Sequence, residues 1–203
     1  EKELAICCIF RDDAKYLPEW VEFHQKQCVQ HFYMYNNLSS DEPEIKLRKY
    51  IKSGLVTLID WPYESTPQTW VSIQCQAYMH CVNKIRYKVN WCAFLDSDEF
   101  LFNPEGKDIK KVLKEFQNYG SVCANWVMFG TGGVKEIPRK AKMTDLLLMR
   151  GSIDFIPNLH VKSIVHPHAI GNCVNPHMFV YVYPYYCVTE NHIPINSCLS
   201  QNH

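Results

Sequence analysis

The first half of the chain alternates apolar runs of strand length with segments of helical pattern. Helical patterns open at Pro18, lie between residues 39 and 54, and run from about residue 70 to 86. The apolar runs between them are LAICCIF from Leu4, HFYMYNN from His31, LVTLIDW from Leu55 and WCAFLD from Trp91. Strands and helices that take turns favour a parallel sheet with right-handed crossovers. The sequence therefore predicts an α/β fold, with a mainly parallel central sheet flanked by helices.

Size, composition and charge exclude several classes of protein. With 203 residues, 47% of them apolar, and a formal net charge of zero, the chain can bury one core and has no basic surface for nucleic acid. No apolar run reaches the roughly 20 residues that a membrane span needs. The chain begins at Glu1 and not at Met, so we allow for an upstream segment or anchor. We expect one domain over 1–203, regular in 1–103 and irregular in 104–203.

Ten cysteines bear on the cellular compartment. Four of them, Cys7, Cys8, Cys92 and Cys123, lie inside apolar runs, where a reduced thiol behaves as a small hydrophobic side chain. The spacing shows no CxxC pair and no regular framework. Reduced thiols favour a cytoplasmic location, with the inner face of a membrane as one option. Disulfides in the lumen of the secretory pathway are the alternative.

Polar side chains follow three of the predicted strands. These clusters are residues 11–13 (Arg-Asp-Asp), 36–37 (Asn-Asn) and 96–98 (Asp-Ser-Asp). Ligands of α/β sheets bind outside the carboxyl ends of the strands, and parallel strands bring these ends to one edge. We therefore expect the three clusters to converge on one site. An exposed ion pair at a turn is the alternative interpretation of residues 11 and 12.

The FLDSDEF segment carries the strongest chemical signal. Asp96 and Asp98 are expected to continue the preceding strand, whose alternation would direct both carboxylates to one side. Carboxylates this close repel one another and resist dehydration, so a positive charge is expected beside them. Hard carboxylate oxygens suit Mg²⁺ or Mn²⁺, which usually share their ligands with substrate phosphates. A solvated acidic turn is the alternative to this predicted metal site.

The chain resembles GT-A-fold glycosyltransferases, in particular glycosyltransferase family 92 and related family-2-like sequences. The matching stretches are FLDSDEFL, NWVMFGTGG, HVKSIVHPHAI and the long segment from Leu4 to Asn37. The resemblance implies one GT-A-like domain with a nucleotide-binding half (1–103) and an acceptor half (104–203). It also implies that the D-x-D motif binds a divalent cation, Mn²⁺ or Mg²⁺, which holds the diphosphate of a nucleotide sugar.

Individual roles follow from the same resemblance. Asp98 would ligate the metal directly, and Asp96 would touch the ribose and the metal shell. Asn37 stands where family-2-like enzymes often use an aspartate against uracil. Lys162 is either a solvated strand residue or a cation that holds the leaving diphosphate. The implied nucleotide-binding set is Arg11, Asp12, Asn37, Asp96 and Lys162.

A late histidine often completes the metal site in such enzymes. The segment ENHIPINS resembles the family's N-H-Y-x-x-K-S ending, although Ile193 replaces the Tyr and Asn196 replaces the Lys. The resemblance implies that His192 is the third metal ligand. His177 is the second choice.

The segment NWVMFGTGG is interpreted as part of the substrate site. Aromatic faces stack on sugars, and glycines let the backbone approach a ligand closely. We expect Trp126, Phe129, Gly132 and Gly133 to line the pocket for the donor sugar and the acceptor. A core tryptophan before an ordinary turn is the alternative.

The function implied by the resemblance is transfer of a hexose from a UDP-sugar to a hydroxyl of a glycan or glycolipid. Family 92 implies inversion, which requires a carboxylate base, and the candidates are Glu136 and Asp154. Peripheral membrane association is a further option, and no nucleic-acid partner is expected. The alternatives are a non-catalytic glycan-binding module and a metal-dependent nucleotidyltransferase. The latter normally has a glycine-rich loop after the first strand, where this chain has RDDAKYLP.

Overall fold

The computed structural model describes residues 2–138, 140–152 and 154–196. Its first half follows the predicted alternation of strands and helices, with each boundary within a few residues of the sequence pattern. The elements are β1 (Lys2–Phe10), α1 (Leu17–Lys26), β2 (His31–Asn36), α2 (Pro43–Lys52), β3 (Val56–Asp60), α3 (Trp70–Ile85) and β4 (Val89–Phe94).

The second half contains short elements, as expected from its irregular pattern. They are α4 (Ile109–Leu113), β5 (Ser121–Asn125), β6 (Phe129–Gly130), α5 (Met143–Leu146), β7 (Met149–Arg150), β8 (Val161–Val165), β9 (Ile170–Asn175), β10 (Met178–Tyr181), β11 (Cys187–Val188) and β12 (Pro194–Ile195). Helix α4 is short and gives way to a single 3₁₀ turn that ends at Phe116. Strand β5 ends at Asn125, and β6 begins at Phe129.

An eight-stranded sheet has the order β12-β11-β5-β8-β4-β1-β2-β3. Its pairs β1–β2, β1–β4, β2–β3 and β5–β11 are parallel, whereas β8 runs antiparallel to both β4 and β5. The predicted α/β class, with a mainly parallel central sheet, is confirmed. Because β8 runs the opposite way, its first residues lie at the edge where β1, β2, β4 and β5 end.

Strand β1 explains why a continuous apolar run is needed at the centre of this sheet. Its even-numbered residues Leu4 to Phe10 join a core with α1 and α2, and its odd-numbered residues Ala5 to Ile9 join a second core with α3. Both faces of the strand are thus covered, as expected for parallel sheets. In the described part of the chain, no helix is long and apolar enough to cross a membrane.

Candidate active site

The acidic segment is a turn and not an extension of β4. The strand ends at Phe94, and the Glu99 amide donates to the Asp96 carbonyl oxygen at 3.2 Å. The expectation that strand alternation aligns Asp96 and Asp98 is therefore wrong, because β4 ends at Phe94 and a turn begins at Asp96. Asp96 is half-buried and Asp98 is exposed.

A buried lysine neutralises part of this turn. Lys162, near the start of β8, is only 2% exposed. Its Nζ lies 2.8 Å from Asp96 Oδ2 and 3.4 Å from Glu99 Oε2. The other carboxylate oxygen of Asp96 accepts from Gln74 Nε2 at 2.9 Å, and Glu99 Oε2 accepts from the Asp96 amide at 2.8 Å. Lys162 is thus an internal counter-ion. The alternative interpretation, a solvated strand residue, is wrong because the side chain is buried.

The charges of the turn remain unbalanced. Burial, with repulsion from Asp96 and Asp98, raises the pKa of Glu99 to about 7, although Lys162 acts in the opposite direction. Surrounding protein atoms and repulsion from Asp96 and Asp13 also raise the pKa of Asp98, even though this residue reaches solvent. Burial opposes the charged form of Lys162, but Glu99 and Asp96 together raise its pKa. One ammonium group therefore does not compensate all the carboxylates around it.

Helix α1 supports the acidic turn from the core side. Trp20 Nε1 donates to the Glu99 carbonyl oxygen at 2.7 Å. His24 Nδ1 lies 2.8 Å from the Trp20 carbonyl oxygen, and His24 Nε2 accepts from the Leu101 amide at 2.9 Å. Burial lowers the pKa of His24 to about 4, which keeps the ring neutral and able to accept. The apolar face of α1 thus also holds the backbone of the acidic segment.

The loop after β1 joins two neighbouring loops. Ser97 Oγ donates to Asp13 Oδ2 at 2.6 Å, which ties this loop to the acidic turn. Asp12 accepts from the amide and hydroxyl of Ser40, and these bonds lower its pKa. Arg11 is exposed, with its Nε 3.9 Å from Asp12 Oδ2. Asp13, a member of the predicted cluster 11–13 to which no individual role was assigned, is thus the residue of this loop that contacts the motif.

Asn37 follows β2 and is fully buried. Its Nδ2 donates to the carbonyl oxygens of Trp61 and Tyr63, each at 2.8 Å. Its Oδ1 is buried and has no hydrogen-bond partner among the described residues. A buried acceptor without a donor is costly, so this oxygen is suited to an N–H group of a ligand.

The predicted sugar-binding aromatics differ in their surroundings. Trp126 stacks on His160 with ring centroids 5.1 Å apart, and its indole Nε1 is buried without a partner in the described structure. Phe129 lies in β6 and is 47% exposed. Gly132 and Gly133 have φ values of +57° and +91°, which favour glycine. Of the four predicted residues, Phe129 and the two glycines are exposed, and Trp126 is half-buried.

The two histidine candidates lie in different places. His192 is on the turn after β11 and stacks on Phe116, with centroids 4.5 Å apart. Strands β5 and β8 lie between β11 and β4 in the sheet, and the contact of His192 is with Phe116, so the structure does not bring His192 to Asp96 and Asp98. Within the described ranges, no three His, Cys, Asp or Glu side chains group as a metal site. His177 is the closer candidate, since Lys162 and Asp96 both affect its pKa, which burial lowers.

The candidate bases lie outside the carboxylate network. Glu136 lines an open groove of about 440 Å³, together with Lys15, Tyr16 and Thr131. Asp154 is exposed in a turn. In the described structure, no hydrogen bond or ion pair joins either residue to the acidic turn. A cavity of about 130 Å³ between α1 and residues 142–145 contains none of the strand-end residues.

The acidic turn suits a divalent cation that takes further ligands from a substrate. Asp98 offers an exposed carboxylate, and burial together with repulsion between the carboxylates raises the pKa values of Asp98 and Glu99. Mg²⁺ and Mn²⁺ bind through one or two carboxylates plus phosphate oxygens. The residues present therefore fit such an ion, with Asp98 as the freely available ligand and Asp96 shared with Lys162.

These features define an α/β domain whose ligand edge carries an acidic, partly neutralised turn. The chain belongs to glycosyltransferase family 92, whose sequence model matches residues 2–199. A family 92 protein of Ricinus communis is 28% identical over 84% of this chain and 30% of its own length. A galactan β-1,4-galactosyltransferase of Arabidopsis thaliana is 28% identical over 51% of this chain and 21% of its own.

A solved structure gives a further comparison. The S. aureus TarS 1–349 complex with UDP has a TM-score of 0.49 and 16% identity, over 81% of this chain and 47% of that one. The chain spans less than a third of the length of the Ricinus and Arabidopsis relatives that it matches.

Proposed function

We propose that the protein is a metal-dependent glycosyltransferase that moves a hexose from a UDP-sugar to a glycan hydroxyl, with inversion at the sugar carbon. Family membership supports the reaction class. The observation that carries the rest is the acidic turn, in which buried Lys162 holds Asp96 while Asp98 stays exposed. Mn²⁺ or Mg²⁺ bound there would stabilise the charge that develops on the departing diphosphate.

The donor nucleotide would bind between the loops that follow β1, β2 and β4. The unpartnered Oδ1 of Asn37 can accept the ring N–H of a uracil. Arg11 is exposed and only loosely paired, so its guanidinium is available to a phosphate. Lys162 is already engaged by two carboxylates, so we assign it the positioning of Asp96 and not contact with the diphosphate.

The acceptor would approach from the second half of the chain. Inversion needs a base on the side of the sugar opposite the leaving group. We favour Glu136 over Asp154, because Glu136 lines the open groove beside Lys15 and Tyr16. Phe129 and the glycines at 132 and 133 would contact the apolar face of a sugar, and the Trp126 Nε1 can donate to one of its hydroxyls.

A donor screen tests this proposal. UDP-hexoses and GDP-hexoses are incubated with the protein and Mn²⁺, and release of the nucleoside diphosphate is measured. We expect release from UDP-sugars that EDTA abolishes and Mn²⁺ restores, with Glu136→Gln slowing transfer to an acceptor more than Asp154→Asn does. Undiminished release in EDTA would contradict the metal dependence.

The absence of a third protein ligand beside Asp96 and Asp98, within the residues described, favours one rival. A glycan-binding module with a decayed site would bind saccharides irrespective of UDP and metal, and would hydrolyse no donor in the same screen. Release of pyrophosphate from a nucleoside triphosphate and a sugar phosphate would instead indicate a nucleotidyltransferase.

A further inference from the structure

Two buried thiols meet on neighbouring strands far from the acidic turn. Cys123 of β5 and Cys187 of β11 have their Sγ atoms 2.9 Å apart, although 64 residues separate them in the chain. Each residue is 1% exposed. They form a small core cluster with Val161, against which Met178, Tyr181 and Ile195 pack.

Strand register explains why these two side chains face each other. Cys187 pairs with Ser121 in the parallel β5–β11 ladder. Ser121 and Cys123 are two residues apart, so they project from the same face of β5. The side chain of Cys187 therefore lies on the face that Cys123 occupies. The contact follows from the sheet itself and not from a flexible loop.

We propose that Cys123 and Cys187 form a disulfide bond in the mature protein. The Sγ atoms must close from 2.9 Å to the separation of bonded sulfurs, about 2.05 Å. Because the register makes the two cysteines diagonal neighbours, β11 and β5 must also draw together slightly at this point. With oxidised glutathione as the oxidant, one of the two cysteine thiolates attacks a glutathione sulfur and releases one reduced glutathione. The other thiolate then displaces the second glutathione from the mixed disulfide. Two thiols are oxidised, one glutathione disulfide is reduced to two thiols, and two protons leave the protein.

Burial of the pair limits when the bond can form. Both thiols are inaccessible once β11 has docked. The exchange therefore takes place during folding, before the sheet edge closes.

The bond would have a structural consequence for the site. Strand β11 has only two residues at its place in the sheet, and the disulfide would fix it covalently to β5. The closed loop contains β8 and therefore Lys162. Long closed loops gain the most from a cross-link, because the unfolded chain loses conformational freedom. Such a bond persists in an oxidising compartment, which favours the secretory lumen over the cytoplasmic location.

Peptide mapping of the unaltered protein tests the proposal. The chain is refolded with reduced and oxidised glutathione, its free thiols are alkylated in denaturant, and it is digested without reduction. We expect one peptide that joins residues 123 and 187. Alkylation of both thiols, or a link from either to another cysteine such as Cys198, would overturn the proposal.

Thermal unfolding gives a second readout. Reduction with dithiothreitol, or the paired change C123A and C187A, is expected to lower Tm by about 5–10 °C. The matched control is Cys28→Ser, because Cys28 is half-buried and lies in the loop after α1. Reduction should lower the Tm of the Cys28→Ser variant by the same amount as it lowers the Tm of the parent chain. An unchanged Tm after reduction of the parent chain would contradict a bond at this position.

Discussion

Replacing Asp98 by Asn is expected to slow UDP-sugar turnover at least about 100-fold, the usual loss when one group that stabilises transition-state charge is removed. The change keeps the shape of the side chain and removes its charge. Asp98 is exposed, and its raised pKa means that its charge is disfavoured by neighbouring protein atoms and by repulsion from Asp96. The variant should therefore fold at least as stably as the parent at neutral pH while it loses activity.

The matched control for this variant is Glu105→Gln. Glu105 is exposed and pairs with Lys107, outside the acidic turn. Donor turnover by the control should equal that of the parent chain. If Asp98→Asn retains full Mn²⁺-dependent turnover, Asp98 is only a solvated turn residue and the metal site must lie elsewhere.

Replacing Lys162 by Met is expected to destabilise the fold by roughly 2–4 kcal/mol, somewhat less than the loss of a fully buried partner, because Asp96 is partly solvated. Lys162 is the buried partner of both Asp96 and Glu99, so its removal leaves two carboxylates facing an apolar side chain. Urea unfolding at neutral pH measures the change. A second change, Glu99→Gln, should restore part of the loss, because it removes one of the uncompensated charges.

The control for Lys162 is Lys107→Met. Lys107 also pairs with a carboxylate, but both partners are exposed, and surface pairs contribute little. No measurable change in the urea midpoint is expected for it. Equal stability of the Lys162 and Lys107 variants would show that the buried ion pairs do not hold the acidic turn.

Much of the fold could be predicted from local pattern. LAICCIF predicts a strand with both faces covered, and β1 has this environment. Pro43 and Gly54 mark the beginning and end of α2, whose terminating Gly54 has a φ of +74°. The position of β8 could not be predicted, because its insertion between β4 and β5 depends on contacts between distant parts of the chain.

The site was predictable to a smaller extent. The sequence located the acidic motif at a strand end, but not the turn that ends β4 at Phe94. The lysine in VKSIV has no local signal that separates a buried counter-ion from a surface residue, since its partners come from a strand end 66 residues away. Glu99 was missed as a member of the network, and Asp13 was placed at the site only as part of the cluster 11–13. Glu99 is visible in the quoted motif, and its position three residues after Asp96 would place it on the same turn.

The histidines illustrate the limit of motif matching. ENHIPINS resembles a metal-binding ending, yet the turn after β11 stacks His192 on Phe116. His177 has no motif, yet it interacts electrostatically with Asp96 and Lys162. The position of His192 depends on the short β11 ladder, because this ladder determines where the chain reverses.

The proposed mechanism requires that the acidic turn binds nucleotide and metal together. Titration calorimetry of UDP against the protein, with and without Mn²⁺, measures this coupling directly. Because the protein offers few ligands of its own, the diphosphate must supply the remainder, and each ligand should tighten the other. We predict that Mn²⁺ strengthens UDP binding by roughly 10- to 100-fold, the usual range of such coupling, and that Asp98→Asn removes the effect. Equal UDP affinity with and without Mn²⁺ in the parent chain would contradict the account.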